Sequence, residues 1–480
     1  MRHSITCIAV LFWAATAQHP EKVDLKAADV LARATAGMRG IATEGGYLWR
    51  YSEDLEQRWG EVQATATQIW VQPPGTPSMG MAFLRAYRAT KDPRHLAAAA
   101  QAAAALARGQ LESGGWDYLI DFDPEAGRQA YRRTDKGYIP EKDAAGRQNT
   151  TTFDDDNTQS ALRFLMAFVA ATPDRGEAPA GQSRAALDYG LAKMLAAQYP
   201  NGAWPQRWSG RPHDADRHPV KPASIPRNWP RMYSKEDYTG HYTLNDNTQR
   251  DCILTMLAAW RQLGKAEYLN SAKKGGDFLI LAQLPAPQPV WAQQYNPGME
   301  PAWARAFEPP AACAAESAGV IRSLVDLYLE TDEEKYLAPI PRAIEWYRRS
   351  QIRPNIWARF YELSTNRRIY GDRDGRIHYR LGEISEERRK GYSWEADFGI
   401  QAAIDYFEQV AKAGGRKAYL AQPVRHSPAR PPESEIKRIA ASLNGRGLWV
   451  SNGRIETSVF IQNVERLCEY LEGFEKEGRR

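Results

Sequence analysis

Apolar residues recur along this chain at three- and four-residue spacing, the period of a helix with one buried face. The pattern is clearest in an alanine-rich run from Met81 to Gln110 and over 162–171, 253–263 and 320–329. Strand-like alternation of Val, Ile and Thr with polar residues is scarce, so an all-α chain is expected. The helices recur as a unit. TPSMGMAFLRAYRATKDPRHL opens at Thr76, DNTQSALRFLMAFVAATPD at Asp156, DNTQRDCILTMLAAWRQLGKAEYL at Asp246 and ESAGVIRSLVDLYLETDEEKYL at Glu316. Each copy starts on a polar or capping residue, breaks at a short polar loop and enters a second helix. The linkers echo one another around Trp116, Trp204 and Trp291, which lie 88 and 87 residues apart. Helix pairs that bury one face against the next pair build a solenoid or, when closed, an (α/α) toroid. The toroid is the expected fold, with long loops carrying an open substrate groove.

The copies differ where chemistry would sit. Two central copies open on Asp154-Asp155-Asp156-Asn157-Thr158 and Asn245-Asp246-Asn247-Thr248. A helix cap needs one such residue, whereas three consecutive aspartates repel one another. The second copy, ninety residues on, belongs on the same rim. Clustered carboxylate and amide oxygens at about 2.3–2.6 Å are what a hard cation such as Ca²⁺ requires. In GAWPQRW, Trp204 and Trp208 either flank a cleft, where indole faces stack on sugar rings, or serve the core. Between Arg353 and Arg380, arginines 353, 359, 367, 368, 373, 376 and 380 alternate with Trp357, Phe360, Tyr361, Tyr370 and Tyr379. Arginine forks hold carboxylates or phosphates, and rings add stacking surface. Gly371-Asp372-Arg373-Asp374-Gly375 reads as a tight turn presenting Arg373.

Charge narrows the ligand. The formal net charge of the 480 residues is +5, and removing the leader, with Arg2 and no acid, makes it +4. That is too weak an excess for a nucleic-acid binder, so the arginines mark a local site for an anionic substrate. Residues 1–17 have a cationic start, an apolar stretch and Ala15-Thr16-Ala17, the pattern of a secretory signal. A secreted or periplasmic monomer is expected, without stable membrane insertion, since the apolar run is short for a span. Three sparse cysteines beyond the leader and no HExxH argue against a disulfide scaffold or a zinc site. Residues 18–410 are assigned to the catalytic toroid. Residues 411–480 form a C-terminal extension packing on the barrel, with short strands at 448–450 and 455–459 and a final helix near 460–477.

A metal-bearing carboxylate rim opposite aromatic-lined arginines suits a polyuronate. At these residues the chain resembles the family ten pectate lyases (polysaccharide lyase family ten). The motifs are WARFYEL-x-TNR-x-I-x-x-x-RDG, PAWARAFE around Arg305, YPNGAWPQ, and the TFDDDNT and LNDNT openings, over roughly residues 49–394. The resemblance implies an (α/α) toroid-like fold, Ca²⁺ dependence and eliminative cleavage of polygalacturonate to 4,5-unsaturated products. It makes Arg373 the candidate base and Asp154 the essential carboxylate. Arg305 and Arg359 would bind substrate carboxylates, and Asp246 would belong to the calcium site. Trp204, Tyr361 and Arg376 join the candidate substrate-binding set, and Asp155 and Asp156 are further metal candidates. The acidic run 154–156 and a Pro- and basic-rich insertion between Trp208 and Tyr242 depart from the family pattern. The insertion would lid the groove or be tolerated surface length. An α/α-barrel glycoside hydrolase acting on uronic-acid oligosaccharides and a non-catalytic polyuronate binder remain alternative readings.

Overall fold

Helices come in pairs in the computed structural model, which describes residues 21–134, 148–172, 180–422 and 430–477. The expected leader lies outside the described residues. Helix α1 (Glu21–Ile41) precedes α2 (Thr76–Thr90), α3 (Pro93–Gly109) precedes α4 (Asn157–Ala171), and α5 (Ala180–Ala196) precedes α6 (Thr248–Leu263). Next, α7 (Ala266–Leu281) precedes α8 (Ala314–Thr331). Helix α9 (Ile340–Arg349) is followed, beyond the short α10 (Glu386–Gly391), by α11 (Ile400–Lys412). After α12 (Arg416–Leu420), the last pair is α13 (Glu433–Ala441) and α14 (Thr457–Glu477). The second members lie side by side in chain order: α2 on α4, α4 on α6, α6 on α8 and α8 on α11. Helix α14 returns to pack on α2. There Phe460 meets Phe83 at 5.4 Å, and Arg85 pairs with Glu465 and Glu472. The fold is the all-α (α/α) toroid that the repeat predicted. Four pairs are legible in the sequence, and six stand among the described residues; α13 and α14 pack on the barrel as its last pair.

The repeated tryptophans have a structural reason. A helix leaves its last four carbonyls without intrahelical donors. The indole N–H of Trp116 donates to Leu106 O (2.9 Å), Trp204 to Met194 O (3.0 Å) and Trp291 to Leu279 O (2.7 Å). Trp357 donates to Tyr347 O (2.8 Å) and Trp449 to Ile439 O (2.9 Å). Every acceptor lies in the last turn of a first-member helix. The backbone amides of Trp116, Trp204 and Trp291 donate in turn to Thr158, Gln249 and Ser317 at the start of the next inner helix. Inner helices approach closely where a glycine allows it: a Cβ on Gly80 of α2 would fall 2.2 Å from the Phe164 ring of α4.

Strands are short and serve the rim. Thr151–Thr152 pairs with Arg207–Trp208, and Tyr242–Thr243 with Gln294–Tyr295. Strands Ala312–Cys313, Phe360–Tyr361, Arg368–Gly371 and Ile377–His378 form one antiparallel sheet, so the glycine-bounded turn at 371–375 is a hairpin tip. The C-terminal strands expected at 448–450 and 455–459 form at Val450–Ser451 and Arg454–Glu456 and join Arg50–Ser52. Thr457 already begins α14, which takes the rest of that apolar segment into the core. No helix among the described residues is long and apolar enough to cross a membrane.

Candidate active site

Two rim loops enter their inner helices through the same backbone turn. Asp155 and Asp156 (φ 52° and 57°) precede α4, and Asp246 and Asn247 (φ 48° and 61°) precede α6. Asp and Asn tolerate this left-handed region because their short polar side chains bond locally. The turn therefore matches Asp155 with Asp246, one residue out of register with the DNT repeat. The clamps agree, since Thr158 and Gln249 hold equivalent tryptophans. As a result Asp154, Asp155 and Asp246 converge, with carboxylate oxygens within 4.8 Å of one another. Asp156, grouped with them from the sequence, is not brought to the cluster. Its carboxylate takes a 2.6 Å hydrogen bond from Arg163 of α4.

The cluster carries uncompensated charge. Asp154 is 9% exposed; Gln206 donates to its Oδ2 at 2.6 Å, and the Tyr118 hydroxyl lies 3.2 Å from Asp155 and 3.5 Å from Asp154. The other oxygen, Asp154 Oδ1, is buried without a hydrogen-bond partner. Burial, then the charges of Asp155 and Asp246, push Asp154 up to about 8. Asp246 is open to solvent on one side, yet the protein packed around its carboxylate and then the Asp155 charge push it up to about 6. Burial also raises Asp155. An orphaned buried oxygen among three carboxylates is the donor set a divalent, oxygen-seeking cation satisfies. Asp154, Asp155 and Asp246 thus fit such an ion.

Arginines face this cluster. Arg305 pulls down all three carboxylates electrostatically, and its Nε sits 2.7 Å from Glu308. Burial alone would raise Glu308, but the Arg305 fork holds it below the usual carboxylate range. Tyr392 donates to the same carboxylate at 2.9 Å. Arg359 pairs with Glu316 at 3.1 Å and lies over Tyr392 (4.6 Å) and Phe398 (5.1 Å). Glu316 is pushed up to about 8 by burial, which outweighs the pull of Arg359. Arg373, on the hairpin tip, makes a two-pronged pair with Glu387, each contact 3.0 Å. It shares the Phe307 ring with Arg305, at 5.6 and 4.9 Å. The Glu387 bond raises Arg373 further above its already high range, the opposite of what a resting base needs.

The remaining candidates fall elsewhere. Trp204 is fully buried and its indole caps α5, so it is a core residue and offers no stacking surface. Tyr361 is 2% exposed, and its hydroxyl is spent inside the fold, accepting from Ala358 N and donating to Ser350 O; only an edge of the residue lines a cavity, away from the carboxylate cluster. In both cases the aromatic ring belongs to the core. Arg376 is exposed on the hairpin, where its backbone bridges Met232. Arg367 and Arg368 line a separate cavity with Arg349 and Tyr379. Residues that sequence reasoning missed include Tyr118, Gln206, Glu308, Glu316, Glu387 and Tyr392. A signal existed for two of these: Tyr118 and Gln206, like Arg359, stand two positions after a repeat tryptophan. Glu316 opens the fourth helical copy, and Glu308 ends PAWARAFE.

A family 10 polysaccharide lyase from Cellvibrio cellulosa is 20% identical, with a TM-score of 0.47 over 70% of this chain and 97% of that one. An aspartate-to-alanine mutant of that lyase in complex with trigalacturonic acid is 21% identical, with a TM-score of 0.46 over 69% and 98%. A family 76 glycoside hydrolase (mannosidase) from Bacteroides thetaiotaomicron is 9% identical, with a TM-score of 0.44 over 94% and 99%. No curated protein sequence matches the chain significantly. The sequence profile of the pectic acid lyases matches residues 127–355 and 351–403, together more than half of the chain. The chain therefore belongs to the pectic acid lyase family, a family of polysaccharide lyases.

Proposed function

We propose that this protein is an exported pectate lyase that cleaves polygalacturonate by Ca²⁺-assisted β-elimination. The observation that carries the reading is the carboxylate cluster with its orphaned Asp154 oxygen, set beside Arg305 and Arg359. Elimination from a uronide needs the C6 carboxylate neutralised, the C5 proton removed and the C4 oxygen released. Held by Asp154, Asp155 and Asp246, a calcium ion would neutralise uronate charge and act as a Lewis acid toward the developing enolate. Arg305 and Arg359 bind the carboxylates of the sugar chain, stiffened by Glu308, Glu316 and Tyr392. Their fixed positive charge stabilises the carbanion-like state electrostatically.

Arg373 takes the position over C5. Its guanidinium is ordinarily always protonated, and Glu387 reinforces this. The role therefore requires the substrate to displace Glu387 and bring Arg373 among the other arginines, where a second cation disfavours its charge. Asp154 and Asp246 crowd one cation position rather than facing each other across a bond, as the acid pair of a hydrolase does.

The deciding experiment incubates the protein with polygalacturonate in Ca²⁺ or EDTA and follows ultraviolet absorbance of unsaturated ends. Ca²⁺-dependent absorbance is expected. New reducing ends without absorbance would instead mean hydrolysis, and tight binding without either would mean a non-catalytic polyuronate binder.

A further inference from the structure

The insertion after Trp208 is fastened at both ends to the two sides of the cleft. On the aspartate side, Thr239 O accepts from Arg207 N at 3.0 Å, and Arg207 pairs with Thr152, two residues before Asp154. On the arginine side, Tyr233 N donates to Gly375 O at 3.0 Å, and Met232 bridges Arg376. Gly375 is required there: φ is +72° and an added Cβ would come 2.9 Å from that of Tyr233. Six residue steps separate the anchors, and an extended chain covers at most about 3.3–3.6 Å per step. The walls are thus no more than roughly 20 Å apart. Residues 234–237 between the anchors are all exposed, so the crossing is a surface strap and not part of the groove floor. It carries Lys235, Glu236 and Asp237, one negative charge in net, and Tyr238 stands close enough to Glu308, Arg305 and Asp154 to feel their charges. The approach to the strap is itself rigid: Trp303 donates to Pro230 O at 2.9 Å, and Arg231 pairs with buried Glu362.

We propose that the strap 233–239 blocks one end of the groove, so that the enzyme engages polygalacturonate by a chain end and releases short products. The inference rests on the lyase reading above. A polymer lying between the carboxylates and Arg373 would have to pass the strap to continue, and the backbone anchors on both walls oppose that passage.

The test follows viscosity and ultraviolet absorbance together on long polygalacturonate, with trigalacturonate as a short control. Absorbance that rises while viscosity falls only in step with the bonds cut, with a narrow product size, supports the strap as an end wall. Early collapse of viscosity with a broad oligomer ladder overturns it while leaving the lyase reading intact. No absorbance from either substrate overturns the lyase reading and this inference with it. The variant Tyr233→Pro, which removes the N–H bonded to Gly375 O and so loosens the arginine-side anchor, should raise viscosity loss per bond severalfold and leave trigalacturonate turnover unchanged. An unaltered ratio in a folded variant also overturns the inference.

Discussion

Asp155 and Asp246 hold the same left-handed position in successive rim turns, at φ 52° and 48°, and their carboxylates meet in one cluster. Two copies of one helix-entry turn thus bring carboxylates to one place, and Asp156, the residue after the first, turns away to Arg163.

That geometry separates adjacent aspartates. Asp155→Asn and Asp246→Asn should each weaken Ca²⁺ binding by about tenfold or more, because affinity follows the charge of the ligand set. Asp156→Asn should leave Ca²⁺ affinity unchanged and lose only the link to Arg163. Calorimetric titration of the three variants with Ca²⁺ checks this; equal losses would place Asp156 back in the site.

Protons compete for the cluster. With Asp154 raised to about 8 and Asp246 to about 6, both are increasingly protonated as pH falls through those values. Ca²⁺ affinity should therefore climb between pH 6 and 8 by up to about tenfold per unit, as ligand deprotonation requires. A flat affinity over that window would contradict the arrangement.

Glu316 gives a stability prediction. Its folded-state value, about 8, lies above that of an ordinary glutamate, so its contribution is fully present below the ordinary carboxylate range. That contribution is lost progressively as pH rises from there through about 8. In Glu316→Gln the fall in Tm of the metal-free protein over this window should be shallower. KM for polygalacturonate should rise because Arg359 loses its partner.

Trp204→Phe tests core against subsite. Removing the indole N–H leaves Met194 O without its donor, which costs about 1–3 kcal/mol for a buried polar group. Denaturant unfolding should show that loss while KM stays at the native value. A raised KM with unchanged stability would restore Trp204 to the substrate site.

Glu387→Gln weakens the pair that keeps Arg373 charged. The pH dependence of kcat should move toward lower pH, while Arg373→Ala should abolish formation of the unsaturated product. Full activity in Arg373→Ala would remove it from the mechanism.

Helical period and spaced tryptophans made the toroid legible, because five of the six pairs repeat one local solution: an amphipathic inner helix and an indole that caps its outer partner. The fifth pair was hidden by the rim loops between α9 and α11, and the sixth by its distance from the first in the chain. The family motifs singled out Arg305, Arg359, Asp154 and Asp246, and the fold brings these four near one another.

The sequence by itself determined the helix-pair repeat, the family motifs and the residue types of the site. Only the tertiary structure decided which side chains share it. Trp204 and Tyr361 look like binding residues in one dimension, but an aromatic ring serves core and subsite equally well until burial is known. Asp156 aligns with Asp246 as text, and a left-handed backbone turn shifts the match by one residue. The strap over the Arg353–Arg380 hairpin depends on contacts between segments more than a hundred residues apart, which no local pattern encodes.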